Sequence, residues 1–318
     1  MDKNAPSEGI DIVYLWVDGS DPDWQKKHDE FTGRDAADRE LDCKGRYTSI
    51  DELKFSLRSL ELYAPWVRRV FIVTDNQVPA WLNLDHPKLR IVDHTEILPP
   101  GALPCFNSNV LEHGIFRIPG LSERFIYAND DMMLNRSVSP ADFFTPEGLP
   151  VIRMNRRPMR KLTHWVEQHI LGRKMSPYNI TIQRTAELVK RRTGKFIGHK
   201  NHHNIDAYLR SDYARVYETF RDSIEPTLGN HLRHESDIQR NIYSYIPIIE
   251  KRCRLKFVTR KTSFRLHTHR HHHYGKMMRY NPTFFCVNDS EYATDADRAM
   301  ARRFLETRFP KPSSFEKA

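Results

Sequence analysis

The segment RFIYANDDMML, residues 124–134, runs from an apolar stretch directly into two adjacent acids. The apolar stretch predicts a buried strand over residues 124–129, and Asp130 and Asp131 follow where that strand ends. Adjacent carboxylates repel each other, and burying either one without a partner costs free energy. A bound cation or a catalytic role explains the pair, and an ordinary turn explains it equally well at this level.

Outward from that segment, the first half of the chain alternates predicted strands and helices. Strands are predicted at 10–17, 67–75, 89–94 and 124–129, and helices at 49–65 and 107–118. Ser49 and Glu52 form a capping-box pattern at the start of the first of these helices, and Pro65 follows its end. Apolar strands separated by helices are typical of an α/β domain with a mostly parallel sheet, which is the fold class we predict.

Acidic residues follow each of the predicted strands. Ligands of parallel α/β sheets bind beyond the carboxyl ends of the strands, where these acids are expected to meet. They are Asp18, Asp75, Asp93, Asp130 and Asp131. Mg²⁺ and Mn²⁺ prefer oxygen ligands and are commonly held by one or two carboxylates together with substrate phosphates. The pattern therefore predicts a functional cleft at this edge, with Asp130 and Asp131 as candidate ligands of a metal that bridges a diphosphate.

The second half of the chain has a different, basic character. Helices are predicted at 184–195, 205–220, 236–251 and 295–309, short strands at 149–154 and 254–259, and a histidine- and arginine-rich loop at 260–281. We expect three segments: an α/β core over 1–150, a mainly helical lobe over 151–281, and a C-terminal segment over 282–318 that packs back on the core.

Composition narrows the class of protein. The 318 residues are 39% hydrophobic and 29% charged, which is typical of a soluble globular protein, and no apolar stretch approaches the ~20 residues of a membrane span. The net charge of +9 and the 16 histidines favour anionic partners. Helix-turn-helix, zinc-finger and RNA-binding signatures do not stand out, so nucleic acid is not an expected partner.

The four cysteines are scattered and show no C-x-x-C spacing. They are Cys43, Cys105, Cys253 and Cys286. Neither a disulfide framework nor a cysteine zinc site is indicated. The N-terminal residues lack the basic region and cleavage site of a secretory signal, so we expect a reducing, cytoplasmic setting.

Two basic clusters are candidates for chemistry. His199, His202 and His203 lie close together, and histidine acts as a general base near neutral pH, although a phosphate-binding or plain surface loop is an equal reading. The guanidinium of Arg233 can donate two parallel hydrogen bonds to a phosphate. The alternative is that Arg233 lies at the exposed start of a helix capped by Ser236.

A third basic cluster lies further along the chain. It comprises His267, His269, His271, His272 and His273. Such spacing suits a transition metal, but no acid or cysteine nearby in the sequence completes a site. A basic rim that attracts phosphate is the reading we prefer.

Several segments together resemble the Stealth family. They are IDIVYLWVDGSDPDW (10–24) for its first region; ELKFSLRSLELYAPWVRRVFIVTDNQVPAWLN (52–83), KLRIVDH (88–94) and 103–134 for its second; FIGHKNHHNID (196–206) with LRHESDIQ (232–239) for its third; and 284–316 for its fourth. The resemblance runs in order along nearly the whole chain.

The resemblance implies a nucleotide-sugar core of the Rossmann-like or GT-A-like kind and a hexose-1-phosphate transferase. Such an enzyme moves a sugar 1-phosphate from a UDP-sugar to a hydroxyl of an acceptor oligo- or polysaccharide, releasing UMP, with Mg²⁺ or Mn²⁺ as cofactor. Capsule or exopolysaccharide synthesis at the inner face of the plasma membrane, with peripheral membrane association, is the setting it implies. A glycosyltransferase that releases UDP and a non-catalytic protein that binds glycans or anionic lipids are the alternatives.

The resemblance also implies roles for particular residues. The donor pocket and substrate contacts are expected from Asp18, Asp21, Asn107, Ser108, Arg117, His203 and Asn288. The metal is expected on Asp130, Asp131 and Asp289, and the catalytic groups are His199, Asp131, Glu112 and Arg233. His202 or His203 can take the place of His199, and Glu112 is an alternative base.

One stretch departs from the family pattern. Residues 163–189 keep Trp165 but have Arg184 and Thr185 where the family has an Asn-Thr or Asn-Asn pair. Acceptor contacts are therefore where we expect this chain to differ.

Overall fold

The structure is a computed structural model that describes residues 9–33, 49–157 and 174–317, together with positions 165, 170 and 172. Cys43 and most of the segment around Trp165 lie outside these residues. The eleven strands are β1 (Ile10–Leu15), β2 (Val70–Thr74), β3 (Leu89–Asp93), β4 (Arg124–Asn129), β5 (Met132–Leu134), β6 (Val151–Asn155), β7 (Lys200–Asn201), β8 (Asp206–Leu209), β9 (Arg254–Phe257), β10 (Ser263–His267) and β11 (Phe284–Asn288) in this described part.

The α-helices of the described residues flank these strands. They are α1 (Pro22–Thr32), α2 (Glu52–Tyr63), α3 (His94–Ile97), α4 (Ser108–Gly114), α5 (Pro140–Phe143), α6 (Pro177–Thr193), α7 (Arg210–Thr219), α8 (Arg221–Leu228), α9 (Ile242–Glu250), α10 (His272–Tyr280) and α11 (Asp295–Arg308). Among the described residues, no helix is both long enough and apolar enough to cross a lipid bilayer.

The central sheet has five strands in the order β3-β2-β1-β4-β8. The first four of these run parallel, and β8 pairs antiparallel with β4. Alternate residues of the strands enter different cores: Val13 and Phe125 pack on one face of the sheet, and Ile12 and Ile126 on the other. A sheet covered on both faces needs strands that are apolar throughout, which the sequence provides. The predicted α/β class with a mostly parallel sheet is confirmed.

Two smaller sheets complete the fold. One has the order β10-β11-β5 and the other β7-β6-β9. In the first, β11 runs antiparallel to β5 and parallel to β10, and the amide of Val287 donates to the carbonyl of Asp131 at 2.9 Å. This pairing ties the C-terminal part of the chain to the turn that follows β4.

Two secondary-structure predictions for the second half are wrong. The predicted helix at 205–220 begins as β8, because its first residues pair with the open edge of β4 and this tertiary pairing outweighs local helix preference. The predicted loop at 260–281 contains β10 and α10. Phe264 and Leu266 alternate toward the core there, but the surrounding charges hide that alternation in the sequence.

Strands from all three predicted segments pair with one another. β8, from 151–281, joins the central sheet, and β10 pairs with β11 across residue 281. The division into three segments stays a prediction along the sequence.

Candidate functional site

The carboxyl ends of the parallel strands meet at one edge of the central sheet. β8 is antiparallel, so it is the start of this strand that reaches the same edge, where Asp206 pairs in register with Tyr127. The loop that precedes β8 carries His202 and His203, which are thereby brought beside the end of β4. The structure therefore brings together acids from the first half of the chain and histidines from the second.

Asp131, His203 and Cys286 bring three potential metal-ligand side chains together. The Nε2 atom of His203 lies 3.2 Å from Oδ2 of Asp131. The sulfur of Cys286 and the ligand atoms of the other two all lie within 4.8 Å of one another. Oδ1 of Asp131 is buried and has no hydrogen-bond partner among the described residues. An acid with an unused buried oxygen is a candidate ligand rather than a turn-forming residue.

Glu52 adds a third carboxylate that sequence reasoning missed. Its Oε2 accepts from the Ile50 amide at 2.8 Å and from the Ser49 hydroxyl at 3.0 Å, so the capping-box pair forms contacts although Asp51 is the N-cap. Burial raises the pKa of Glu52 to about 7, and the charge of Asp131 adds to this. The signal in the sequence was an acid on the face of α2 that is otherwise apolar and buried.

Asp130 is the most perturbed acid of the group. Burial, followed by the charges of Glu52 and Asp131, raises its pKa well above the usual range of an aspartate. The other acids at strand ends differ: Asp75 pairs with Lys27 at 2.9 Å, and Asp93 caps α3 through the amide of Thr95. No lysine or arginine of the described residues forms an ion pair with Asp130 or Asp131.

A divalent cation fits this set of acids. Three neighbouring carboxylates without a lysine or arginine partner are the arrangement that a bound cation relieves, and oxygen ligands suit Mg²⁺ and Mn²⁺. The buried Oδ1 of Asp131 supplies a free ligand atom. The thiol of Cys286 does not suit Mg²⁺, and burial together with Asp131 raises the pKa of that thiol.

The predicted donor-pocket acids lie at the end of β1. Oδ1 of Asp18 accepts from the amide of Ser20 at 2.9 Å, and Asp21 caps α1 through the amides of Asp23 and Trp24. The buried amide side chain of Gln77 donates to Oδ2 of Asp21 at 2.9 Å, which lowers the pKa of Asp21.

Gln77 also accepts from the amide of Asp18, with its Oε1 at 2.9 Å from that nitrogen. It therefore holds both acids in position. No motif in the sequence pointed to it.

Arg233 lies at the N-terminus of α4, where its Nη2 donates to the hydroxyl of Ser108 at 2.7 Å. The side chain of Asn107 caps α4, and its Nδ2 donates to the carbonyls of Asn230 and Leu232 and to Asp237. Asn107 thus fixes the loop that carries Arg233. The hydrogen bonds of the Asn107 side chain are to groups of the protein itself.

Glu112 lies in a buried polar network. Its Oε1 accepts from the hydroxyl of Tyr127 at 2.9 Å and lies 3.4 Å from Nε of Arg240. Arg240 also pairs with Asp206 at 2.9 Å. Burial opposes ionisation of Asp206, but His202 and Arg240 outweigh it and lower the pKa of that acid. The network holds the start of β8, from which the histidine loop extends.

Arg117 and His199, two of the predicted site residues, have neighbours other than the acid group. Arg117 stacks over the rings of Phe116 and Tyr217, with its guanidinium carbon 4.6 Å from the latter, and donates to the carbonyl of Ile97. His199 packs against Phe257, and its Nδ1 accepts from the amide of Arg157 at 3.1 Å. The structure gives neither of them a contact with Asp130 or Asp131.

Asn288 ends β11, which pairs beside Asp131, and Asp289 follows it. Asn288 donates to the carbonyl of Asp289 at 2.8 Å. Oδ2 of Asp289 accepts from Nε of Arg298 at 2.8 Å, and Oδ1 accepts from the hydroxyl of Thr268. Asp289 therefore already has a basic partner, in contrast to Asp130.

The histidine cluster lines the end of β10 and the start of α10. His271 pairs with Asp297 at 2.6 Å, and His269 contacts the hydroxyl of Ser290. Burial and neighbouring positive charges lower the pKa of His267 to about 4. The acid beside the cluster, Asp297, comes from α11, which sequence spacing did not reveal.

Comparison with known proteins gives the family. The models of Stealth protein conserved regions 1, 2 and 4 match residues 8–36, 46–152 and 276–318. An exopolysaccharide phosphotransferase of Streptomyces coelicolor is 32% identical over 332 residues, 97% of this chain and 51% of that protein. An exopolysaccharide phosphotransferase of Lactiplantibacillus plantarum is 29% identical over 338 residues, 97% of this chain and 96% of that protein.

Coverage differs among these relatives. The chain spans about half the length of the Streptomyces relative. The receptor polysaccharide phosphotransferase of Streptococcus oralis is 33% identical over 255 residues, 74% of this chain and 77% of that protein. Among solved structures, the galactosyltransferase LgtC in complex with donor and acceptor sugar analogues has a TM-score of 0.47 and 12% identity over 96% of this chain and 98% of its own. A likeness of that size carries no argument. The family models and the relatives agree, and the chain belongs to the Stealth family.

Proposed function

We propose that this protein transfers a hexose or N-acetylhexosamine 1-phosphate from a UDP-sugar to a hydroxyl of an acceptor glycan. The acceptor oxygen forms a bond to the β-phosphorus, the bond from that phosphorus to the bridging oxygen breaks, and UMP leaves with the electron pair. The proton of the acceptor hydroxyl passes to a base on the protein. The product is a phosphodiester between the sugar and the acceptor.

The observation that carries the proposal is the acid cluster at the carboxyl edge of the sheet. No lysine or arginine of the described residues pairs with Glu52, Asp130 or Asp131, and a divalent ion held by these acids would supply the missing positive charge. Relatives in the Stealth family carry the name of polysaccharide phosphotransferases, which supports phosphate transfer as the reaction.

Asp130 and Asp131 are the residues that would hold Mg²⁺ or Mn²⁺, with Glu52 beside them. The bound ion would supply charge neutralisation for the diphosphate of the donor. The chain's own contribution is to hold the donor: Asp18 and Asp21, which Gln77 fixes after the end of β1, are the proposed contacts to the nucleotide.

Arg233 is the proposed ligand of the non-bridging oxygens of the transferred phosphate. Its contact with Ser108 fixes the guanidinium beside the start of α4. Phosphoryl transfer depends mainly on such positioning and on charge neutralisation, so loss of the Arg233 guanidinium is expected to slow the reaction strongly.

His203 is the proposed base, in place of His199. Its Nε2 contacts Asp131, so Nδ1 is the nitrogen left to accept the proton of the acceptor hydroxyl. His199 has its own Nδ1 engaged by the amide of Arg157. Asn288, at the end of β11, is proposed to contact the substrate beside this group.

The acceptor is proposed to be an oligo- or polysaccharide of a capsule or exopolysaccharide. We keep the expectation of a cytoplasmic enzyme with peripheral association at the inner face of the plasma membrane. The net charge of +9 supports attraction to an anionic surface.

The test is incubation of the full chain with UDP-glucose, UDP-galactose, UDP-N-acetylglucosamine or UDP-N-acetylgalactosamine, Mg²⁺ or Mn²⁺, and a panel of acceptor glycans. We expect UMP to form in step with a phosphodiester product. Formation of UDP would replace the proposal with glycosyl transfer, and glycan binding without turnover of any donor would replace it with a binding function. Asp131→Asn, which removes a proposed ligand, is expected to abolish UMP release while far-ultraviolet circular dichroism stays unchanged.

A further inference from the structure

Asp131, His203 and Cys286 offer one oxygen, one nitrogen and one sulfur ligand. Mg²⁺ and Mn²⁺ prefer oxygen ligands, so the thiol has no use in the ion site proposed above. A mixed set of this kind is instead typical of zinc, and three protein ligands with an open fourth position is the arrangement of reactive zinc sites. The spacing of cysteines in the sequence gave no sign of it.

We propose that Asp131, His203 and Cys286 form a binding site for Zn²⁺ that overlaps the Mg²⁺ or Mn²⁺ site only at Asp131. On binding, the thiol loses its proton to solvent and a sulfur–zinc bond forms, while the ion takes the place of the hydrogen bond between His203 and Asp131.

The dimensions of the group suit zinc. Zinc–oxygen and zinc–nitrogen bonds of about 2.0–2.1 Å and zinc–sulfur bonds of about 2.3 Å place tetrahedral ligand atoms roughly 3.3–3.7 Å apart. The contact of His203 Nε2 with Asp131 Oδ2 is 3.2 Å, and all three ligand atoms lie within 4.8 Å. Only a small movement of side chains is needed to close the site.

Two of the ligands are held by regular structure. Cys286 pairs in register with Met132, and the carbonyl of Asp131 accepts from the amide of Val287 at 2.9 Å. His203 lies in the loop before β8, and its side chain keeps 30% of its surface exposed. Asp131 and Cys286, which the strand pairing holds, provide the oxygen and the sulfur ligand. His203 is partly exposed, so an ion can enter beside it and then bind its nitrogen.

Arg265 also borders the group, since its guanidinium contacts the thiol of Cys286. The residue is exposed, so its side chain can move away when an ion binds.

Asp131 belongs to both ligand sets, so Zn²⁺ and Mn²⁺ compete for its carboxylate. If the proposed function holds, zinc is therefore expected to displace Mn²⁺ and to inhibit sugar-phosphate transfer. Zinc would thus act as an inhibitor at the edge of the catalytic site. Binding itself is measurable without any turnover.

The test uses the metal-free full chain titrated with Co²⁺ as a spectroscopic substitute for zinc. We expect about one equivalent of Co²⁺ to give a thiolate-to-cobalt charge-transfer band in the near ultraviolet and the strong visible bands of four-coordinate cobalt. Addition of Zn²⁺ should bleach both. Mn²⁺ loaded beforehand should be released by Zn²⁺, seen as growth of the free-ion signal in electron paramagnetic resonance.

Variants assign the ligands. Cys286→Ser should remove the charge-transfer band, and His203→Ala should weaken Co²⁺ binding by at least about tenfold. Cys43→Ser, Cys105→Ser and Cys253→Ser are matched controls that should bind as the unaltered chain does. A band that is absent from the unaltered chain, that persists in Cys286→Ser, or that is unaffected in His203→Ala overturns the proposal. If Cys286→Ser does not fold, His203→Ala alone decides. Cobalt binding without UMP release would contradict the proposed function and leave this inference standing.

Discussion

The side chains of Asp131 and His203 touch, with 3.2 Å between Oδ2 and Nε2, although 72 residues separate them in the sequence. They meet because β8 runs antiparallel to β4 and so carries the loop before it to the carboxyl edge of the sheet. This relationship is what turns an acidic turn and a histidine-rich loop into one candidate site.

The first prediction separates two histidines. We expect His203→Ala to lower the rate of UMP release by roughly 10²-fold, because it removes the proposed base. His199→Ala is expected to lower it by less than about tenfold, because that ring packs on Phe257. Steady-state rates under saturating donor compare the two. A larger loss in His199→Ala than in His203→Ala would reverse the assignment.

The second prediction concerns Arg233. We expect Arg233→Ala to lower kcat/KM for the donor by roughly 10²-fold or more, since a positioned charge on the transferred phosphate is lost. Ser108→Ala removes only the hydrogen bond that fixes the guanidinium, so the loss of kcat/KM should be several-fold smaller than in Arg233→Ala. Arg221→Ala is the matched control, because Arg221 is half exposed and pairs with Glu218 and Glu225 on the surface. Equal losses in Arg233→Ala and Arg221→Ala would argue against a role in donor binding.

The third prediction concerns stability and Arg240. Its replacement by methionine leaves Glu112 buried without a basic partner and Asp206 with His202 alone, which is expected to cost about 3–5 kcal/mol in the free energy of unfolding. Arg252→Met, which removes a half-exposed partner of Asp212, should cost about 1 kcal/mol or less. Urea denaturation measures both. A cost for Arg240→Met no greater than that for Arg252→Met would mean that the buried network contributes little.

The fourth prediction is a pH dependence of the metal-free protein. The pKa of Glu52, about 7, lies above that of an unfolded glutamate, so the folded state binds more protons and its stability is lost as pH rises through 7. The lowered pKa of His94 and that of His113, both about 4, act in the opposite direction, and their effect fades as pH rises above the ordinary histidine pKa. In the window from about pH 6.5 to 8, comparison with Glu52→Gln isolates this carboxyl, because the histidines titrate alike in both chains.

The measurement is the free energy of unfolding in a chelator at several values of pH within that window. We expect its change with rising pH to be more negative in the unaltered chain than in Glu52→Gln. Mg²⁺ should reduce that difference, because a cation stabilises the ionised acids. An identical slope in Glu52→Gln would show that this carboxyl does not titrate there.

The order of elements in the first half was predictable because local sequence and tertiary environment agree there. Strand β4 was predicted with its observed bounds, Arg124–Asn129, since every residue between its ends is apolar and buried. β8 was not predictable, because Asp206–Leu209 becomes a strand only by pairing with the edge of β4. β10 and α10 were hidden by the dense basic residues around them.

The site was predictable in part for a similar reason. Asp130 and Asp131 stand out because two acids follow a buried strand, which needs no knowledge of distant contacts. Glu52 and Cys286 did not stand out, since an acid at a helix start and a lone cysteine are common in any chain. Only the pairing of β11 with β5 brings Cys286 beside Asp131, and sequence spacing carries no trace of that register.

The central claim is that phosphate moves with the sugar. The most direct measurement uses a UDP-sugar with ³²P in the β-phosphate, the acceptor glycan and Mg²⁺ or Mn²⁺, followed by separation of nucleotide from glycan. The account predicts that the label enters the glycan in step with unlabelled UMP and that Asp131→Asn stops it. Label that stays in the nucleotide as UDP while the sugar reaches the glycan would contradict the account.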